Sequence, residues 1–110
     1  MLFLGEHFKT LTQDFFISLS ALRYIWVDGK NQHFYTQNNV LFNKGKTELI
    51  CYARMRPEEE YTVPSTVKQL KKYSFFYPKH LKKLYIHKST QIEDNALTFY
   101  DDNKPEIIYI

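Results

Sequence analysis

The sequence has little of several residue types that organise other small proteins. Its one cysteine, Cys51, has no second cysteine with which to form an internal disulfide, so the fold must depend on packing. Only three glycines occur, and no glycine-rich phosphate loop, dinucleotide-binding turn or nucleophile elbow is present. No apolar run approaches the roughly 20 residues that a transmembrane helix needs, and we predict no membrane span.

The chain also has no large excess of charge of one sign. Its formal net charge of +3 is too small to identify a nucleic-acid-binding protein by itself. The N-terminal residues 1–7 have no basic stretch and only a short apolar run, so no secretory signal peptide is predicted. In contrast, 44% of the residues are hydrophobic and 17% are aromatic, which excludes the disordered class. A single folded domain of 110 residues is therefore expected.

Local patterns predict several strands and one hairpin. Residues 24–27 are aromatic or β-branched and end at Asp28-Gly29, which is typical of a strand that enters a turn. Apolar runs at 40–42 and 49–52 flank a loop that contains Gly45, and this arrangement predicts a β-hairpin. Further short strands are predicted at 61–63 and 84–86. In residues 8–22 the apolar positions recur at three- and four-residue spacings, which favours a helix.

The same apolar pattern occurs in both halves of the chain. Seven positions match with a constant offset of 59, as between Phe8 and Val67. The first set is Leu4, Phe8, Leu11, Phe16, Leu22, Ile25 and Val27, and the second is Val63, Val67, Leu70, Phe75, Leu81, Leu84 and Ile86. A partial third copy continues from Ile86 towards Ile110 with a period of about 23 to 24 residues, a spacing typical of repeat proteins.

The repeated unit resembles the BspA-like leucine-rich repeat. Its best-preserved copy reads YTVPSTVKQLKKYSF over residues 61–75 and continues with Leu81, Leu84 and Ile86. Residues 39–50, with the sequence NVLFNKGKTELI, resemble the hairpin insert of the same family. The resemblance covers nearly the whole chain, although the glycine, alanine and cysteine positions of the family repeat hold other residues here.

This resemblance implies an α/β solenoid, namely a short right-handed leucine-rich-repeat coil with parallel strands on its concave face. Short helical or irregular segments are expected on the convex side, together with one β-hairpin insert. The single domain, 1–110, divides into a repeat at 2–27, the hairpin insert at 28–60, a repeat at 61–86 and a partial or capping repeat at 87–110. The predicted core consists of the fourteen matched positions above and Tyr61.

Strand alternation turns the residues between the core positions outward. The predicted concave face carries Phe3, Tyr24, Trp26, Thr62, Lys83, Tyr85 and Tyr109. Among them Phe3, Trp26, Thr62, Tyr85 and Tyr109, here called the aromatic row, are expected to lie side by side. Aromatic side chains are enriched among binding hot spots, yet cross-strand aromatic pairs also stabilise a sheet that has no partner. The resemblance implies protein recognition or adhesion at a cell surface, with an unidentified macromolecule as partner.

The alternative function is nucleic-acid binding through a basic and aromatic segment, residues 68–88. This segment has seven lysines and no acidic residue: Lys68, Lys71, Lys72, Lys79, Lys82, Lys83 and Lys88. Such segments bind phosphate groups and stack on bases. The repeat register argues against this function because it places Phe75 in the core and the lysines on different faces. Glutamates at 58–60 are also expected to pair with Lys82 and Lys83.

No catalytic, metal or cofactor site is predicted, and we expect a non-enzymatic chain. The histidines show no spacing that is typical of metal ligands: His7, His33, His80 and His87. Cys51 has no neighbouring base to activate it as a nucleophile. The open ends of a short solenoid favour self-association.

Overall fold

The computed structural model describes residues 1–10 and 22–110. Twelve short strands lie in these residues: β1 (Leu2–Leu4), β2 (Ile25–Val27), β3 (Phe34–Gln37), β4 (Val40–Asn43), β5 (Glu48–Tyr52), β6 (Glu60–Thr62), β7 (Gln69–Leu70), β8 (Phe75–Phe76), β9 (Lys83–Ile86), β10 (Gln91–Ile92), β11 (Leu97–Thr98) and β12 (Glu106–Tyr109). The described residues contain no helix, and so none that is long and apolar enough to cross a membrane.

Parallel pairing arranges the strands into a β-solenoid of about four turns. One ladder consists of β6, β9 and β12, a second contains β5, β7 and β10, and a third consists of β8 and β11. Paired residues lie one coil apart, as Phe75 does from Leu97 and Leu84 from Ile107. The predicted solenoid with parallel strands is confirmed. In residues 22–110 the segments between the main strands are turns and two-residue strands, not helices.

The predicted hairpin is confirmed and has a third strand that the sequence did not reveal. Strands β4 and β5 pair antiparallel, and β3 pairs with the other edge of β4. Asn38 and Asn39 form the turn between β3 and β4, and both have positive φ values, 51° and 64°. Asparagine tolerates this backbone conformation, which a two-residue type I′ turn requires. Strand β5 also pairs in parallel with β7, so the hairpin supplies a strand of the solenoid itself.

The hairpin separates two hydrophobic clusters, because its strands bury side chains on both faces. Phe42 and Leu49 face the larger cluster with Phe75, whereas Leu41 and Ile50 face the smaller cluster. The smaller cluster also contains Leu4, Leu22, Ile25, Val27, Phe34, Cys51 and Ala53. This two-sided burial explains why the runs at 40–42 and 49–52 are continuously apolar instead of alternating.

Most of the predicted core positions are buried as expected. The buried members are Leu4, Leu22, Ile25, Val27, Val63, Val67, Leu70, Phe75, Leu81, Leu84 and Ile86. Phe8 is a correction, because its side chain lies at the surface against Phe34 with 37% of its area exposed. Tyr61 is only partly buried at the edge of the larger cluster. Leu11, Phe16 and most of the helix predicted for residues 8–22 fall on residues 11–21, outside the described residues.

A buried polar side chain, Asn31, connects the first coil to the hairpin. Its Nδ2 donates to the carbonyl oxygens of Gly5 (2.8 Å) and Phe8 (3.0 Å). Its Oδ1 accepts from the backbone N–H groups of His33 (2.8 Å) and Phe34 (2.9 Å). Asn31 is fully buried, so these four hydrogen bonds replace the water that an exposed amide would bind.

Candidate recognition surface

The N-terminal part of the predicted surface is an exposed aromatic patch on β1 and β2. Phe3 and Trp26 are in register across the two strands, and their rings stack at a centroid distance of 4.8 Å. Tyr24 precedes β2 and is equally exposed, with the Arg23 guanidinium 5.6 Å from its ring centroid. About half of each of the three aromatic side chains is exposed. The predicted pairing of Phe3 with Trp26 therefore occurs in the structure.

A second patch lies on the ladder of β6, β9 and β12. Thr62 and Tyr85 are in register, and the Tyr85 hydroxyl lies 3.4 Å from Oε1 of Glu60. Lys83 pairs in register with Glu60 on one side and Glu106 on the other. Opposite charges on neighbouring strands favour this register, since like charges there would repel. Tyr85 is half-buried in this setting, whereas Lys83 and Thr62 are exposed.

The placement of Tyr109 is a correction. The predicted row places Tyr109 beside Tyr85, but in the structure Ile108 pairs with Tyr85 and Tyr109 pairs with Ile86. The coil between β9 and β12 is one residue shorter than predicted, and a one-residue change of register moves a strand residue to the opposite face. Tyr109 is nevertheless 52% exposed, because β12 is the last strand of its ladder.

The two patches do not form one continuous ladder, because β2 and β6 belong to separate sheets. The edge of β2 that faces away from β1 is capped by side chains of the hairpin. The backbone N–H of Ile25 donates to Oδ1 of Asn39 (3.1 Å), and that of Val27 donates to Oγ1 of Thr36 (3.3 Å). The hairpin thus occupies the edge at which a further coil would pair, and the predicted aromatic row is divided into two patches.

A cleft opens beside the N-terminal patch. Its lining residues are Arg23, Tyr24, Asn38, Asn39, Arg56, Pro57 and Glu58. Arg56 is its unusual member, because a charged side chain is rarely buried and Arg56 is only 6% exposed. Nothing in the local sequence pattern distinguishes Arg56 from a solvent-exposed arginine, so the sequence does not predict its burial.

The Arg56 guanidinium packs against two tyrosine rings, Tyr52 and Tyr61, which contact each other edge to face at a centroid distance of 5.3 Å. Its central carbon is 4.8 Å from the ring centroid of Tyr52 and 5.0 Å from that of Tyr61. Nε lies 3.3 Å from Oε1 of Glu58, whose side chain is about half exposed. Burial raises the pKa of the Tyr52 and Tyr61 hydroxyls, and the positive charge of Arg56 partly offsets this effect. Both tyrosines therefore stay neutral at physiological pH beside a charged arginine.

The lysines proposed for the alternative function do not share a face. Lys83 lies on β9, whereas Lys71 follows β7 on a different ladder and pairs with Glu93 at 3.4 Å. Lys82 pairs with Glu59 at 3.2 Å, as expected from the sequence. Phe75, which a base-stacking role would need at the surface, is fully buried. This arrangement does not favour nucleic-acid binding.

Cys51 lies in the smaller cluster, and its burial raises the pKa of the thiol. A buried thiol that is not ionised reacts slowly with disulfide reagents. We expect Cys51 to react with Ellman's reagent at pH 8 at least about tenfold more slowly in the folded chain than in guanidinium. Equal rates in the two states would contradict the buried position.

Among residues 1–10 and 22–110, no three potential ligands are grouped to hold a metal ion.

The comparisons with known proteins give no match among protein families or curated proteins. Solved structures do match. The pneumococcal vaccine antigen PcpA is 31% identical with a TM-score of 0.82, over 97% of this chain and 26% of its own. A leucine-rich-repeat protein from Eubacterium ventriosum is 25% identical with a TM-score of 0.75, over 96% of this chain and 36% of its own.

A leucine-rich cell surface protein from Faecalibacterium prausnitzii shares the fold at 20% identity and a TM-score of 0.63. This match covers 79% of this chain and 26% of that protein. The chain thus spans about a quarter to a third of the length of the structures that it matches. Together these neighbours confirm the resemblance to leucine-rich-repeat proteins that residues 61–75 and 39–50 indicate.

Proposed function

We propose that this leucine-rich-repeat solenoid is a non-catalytic protein-recognition or adhesion module of the BspA-like kind. Its binding surface consists of the N-terminal patch (Phe3, Tyr24 and Trp26) and the second patch (Thr62, Lys83 and Tyr85). The observation that carries the proposal is the exposure of the stacked Phe3–Trp26 pair on a paired, regular sheet. Tyr109 is left out of this surface, because its register partner is Ile86 and not Tyr85.

The exposure of these aromatic side chains supports binding over a purely structural role. A stacked pair that served only the sheet would gain most from being covered, yet about half of each ring is open to solvent. Tryptophan and tyrosine offer large contact areas at a small cost in side-chain entropy, and they dominate many protein interfaces. The surrounding charges, Lys83 between Glu60 and Glu106, supply the polar rim that such interfaces have.

The matched solved structures also support a proposal about where in the cell this chain acts. One of them is described as a leucine-rich cell surface protein and another as a vaccine antigen. We propose that this chain also acts at a cell surface and binds a protein of the surroundings. Self-association through the open edge of β12, the last strand of its ladder, is proposed as a further mode of contact.

The test is capture of purified matrix and serum proteins on the immobilised chain. We expect Trp26→Ala and Tyr85→Ala each to weaken the binding of a captured protein by roughly tenfold, because truncation of a hot-spot aromatic has an effect of this order. Tyr100→Ala is the matched control, since Tyr100 is also 51% exposed but lies outside both patches. Circular dichroism checks that each variant remains folded.

Two outcomes would contradict the proposal. If Trp26→Ala and Tyr85→Ala bind as strongly as the unchanged chain, the two patches are not the binding surface. If the chain instead binds an oligonucleotide with an affinity that falls steeply with salt, the nucleic-acid alternative is favoured.

A further inference from the structure

The last coil, residues 87–110, leaves apolar side chains open at positions that the coil before it buries. Ile92, Leu97 and Ile107 are only partly buried. Their register partners one coil earlier are fully buried, namely Leu70, Phe75 and Leu84. In the described part of the chain, no strand pairs with the outer sides of β10, β11 and β12. Neighbouring coils complete one another's core, so a further coil at this end would bury these side chains.

Strand β1 has a free edge at the N-terminal end of the solenoid. Within residues 1–10 and 22–110 it pairs only with β2, whose other side is capped by the hairpin. Edge strands commonly avoid new partners by carrying lysine, proline or several charges. Neither β1 nor β12 contains lysine or proline, and Glu106 is the single charged residue of the two strands. Both edges are therefore open to a further strand.

On β12, the backbone groups of Ile107 and Tyr109 point to the free edge. Glu106 and Ile110 donate their N–H groups to carbonyl oxygens of the preceding coil, at 2.8 and 2.9 Å. Backbone groups alternate between the two sides of a strand. The N–H and C=O groups of Ile107 and Tyr109 consequently point away from β9.

On β1, the residue that points to the free edge is Phe3. The N–H of Leu2 donates to the carbonyl of Tyr24, and the carbonyl of Leu4 accepts from the N–H of Asp28, both at 2.9 Å. These bonds hold β1 to β2, so alternation turns the N–H and C=O of Phe3 to the other side.

The repeat register brings these two sets of groups together. The offset of 59 positions makes Phe3 equivalent to Thr62, which lies two strands before Ile108 in its ladder. If β1 of a second copy continues this ladder in parallel, its Phe3 lies opposite Ile108. The N–H of Phe3 then meets the carbonyl of Ile107, and the N–H of Tyr109 meets the carbonyl of Phe3. Free donors and acceptors thus match without any shift of register.

We propose that copies of this chain associate head to tail, with β1 of one copy pairing in parallel with β12 of the next. Leu2 and Leu4 of the one copy then pack over Ile107 and Tyr109 of the other and cover part of the open core. A contact between two different surfaces of the same chain forms rings or open chains of copies. The inference rests on the proposed function, since it specifies the self-association included there.

The charge of the last coil disfavours the alternative contact between two C-terminal ends. Residues 87–110 contain five acidic residues and two lysines, which gives a net charge of −3. Two such ends repel each other. The first repeat, residues 2–27, has two basic and two acidic residues and no net charge. A head-to-tail contact therefore avoids the repulsion.

Head-to-tail association joins the two patches that are separate within one chain. Across the junction the outward positions run in the order Thr62, Tyr85, Ile108, and then Phe3 and Trp26 of the next copy. Adjacent strands are about 4.8 Å apart, so Tyr85 lies about 10 Å from Phe3 of that copy. A protein partner then meets one continuous face with aromatic side chains from two copies.

Sedimentation velocity of the full chain over a range of concentrations measures the association. We expect reversible assembly with a Kd on the order of 100 µM, as fits a small interface. Tyr109→Pro removes an N–H that faces the free edge and no hydrogen bond to β9, so the Kd should rise at least about tenfold. Tyr109→Ala is the matched control, because it keeps this N–H, and its Kd should rise at most about threefold.

A mixing experiment tests the polarity of the contact. Phe3→Pro removes the outward N–H of β1, as Tyr109→Pro does for β12. Each variant alone keeps one competent end and should stay monomeric. An equimolar mixture should form dimers and nothing larger, because the β12 edge of the Phe3→Pro copy pairs with the β1 edge of the Tyr109→Pro copy. The unchanged chain should form larger species at the same concentration.

Circular dichroism checks that both proline variants remain folded. If either misfolds, Tyr109→Lys keeps the N–H and adds a lysine to the edge, and it should also raise the Kd about tenfold. The inference is overturned if the unchanged chain is monomeric at concentrations on the order of 1 mM. It is also overturned if Phe3→Pro alone still dimerises, which indicates contact between C-terminal ends, or if the mixture stays monomeric.

Sedimentation requires no partner protein, so its result is independent of the capture experiment. Association with failed capture refutes only the proposed binding of other proteins. Capture by a chain that stays monomeric refutes only the head-to-tail contact.

Discussion

Replacement of Phe75 by alanine is expected to destabilise the chain by about 4 kcal/mol, the range typical of a deeply buried phenylalanine. Phe75 is fully buried, stacks on Tyr52 at a centroid distance of 5.0 Å and packs against Tyr61 at 6.2 Å. It belongs to the larger cluster with Phe42, Leu49 and Leu70, so its truncation leaves a cavity in the core. Urea denaturation followed by circular dichroism measures the free energy of unfolding.

Phe76→Ala is the matched control for this prediction. Phe76 is the next residue of β8 and is only partly buried, so its truncation should cost about 1 to 2 kcal/mol. If Phe75→Ala fails to fold, Phe75→Leu keeps most of the side-chain volume and should lose about 1 to 2 kcal/mol. Equal losses for Phe75→Ala and Phe76→Ala would contradict the position of Phe75 at the centre of the core.

Replacement of Asn31 by leucine is expected to cost about 3 kcal/mol, although leucine is the more hydrophobic residue. The amide makes four hydrogen bonds at distances of 2.8 to 3.0 Å, two as donor and two as acceptor, and leucine can make none of them. After the substitution, the carbonyls of Gly5 and Phe8 and two backbone N–H groups lose the partner that Asn31 provides. The loss is again measured by urea denaturation.

Amide hydrogen exchange tests the Asn31 prediction at the residues that Asn31 contacts. The amides of His33 and Phe34 should exchange faster in the variant, since both donate to Asn31. Asn103→Leu is the control, because its partly buried side chain makes a single bond to the carbonyl of Lys79 and should contribute less than about 1 kcal/mol. A variant of Asn31 that is as stable as the unchanged chain would show that the amide does not hold the first coil to the hairpin.

The main strands and the hairpin can be predicted from the sequence because each depends on the residue pattern within a short segment. The β-branched and aromatic residues at 25–27 and 84–86, and the two apolar runs around Gly45, are each typical of strands. The constant offset of 59 positions placed Phe75 and Leu84 in the core before any contact was known. The resemblance to leucine-rich repeats then supplied the parallel pairing, which a local pattern does not contain.

The sequence by itself therefore determined the repeated coil and most of its core, since apolar residues at a fixed period must be buried together. Only the tertiary structure decided that β2 and β6 lie in separate sheets and how β9 and β12 are aligned. Asn39 and Thr36 cap β2 and separate it from β6, and a one-residue difference in coil length moves Tyr109 away from Tyr85. The burial of Arg56 against Tyr52 and Tyr61 could not be predicted either, because it depends on contacts between coils, whereas periodicity reports only the direction of each side chain.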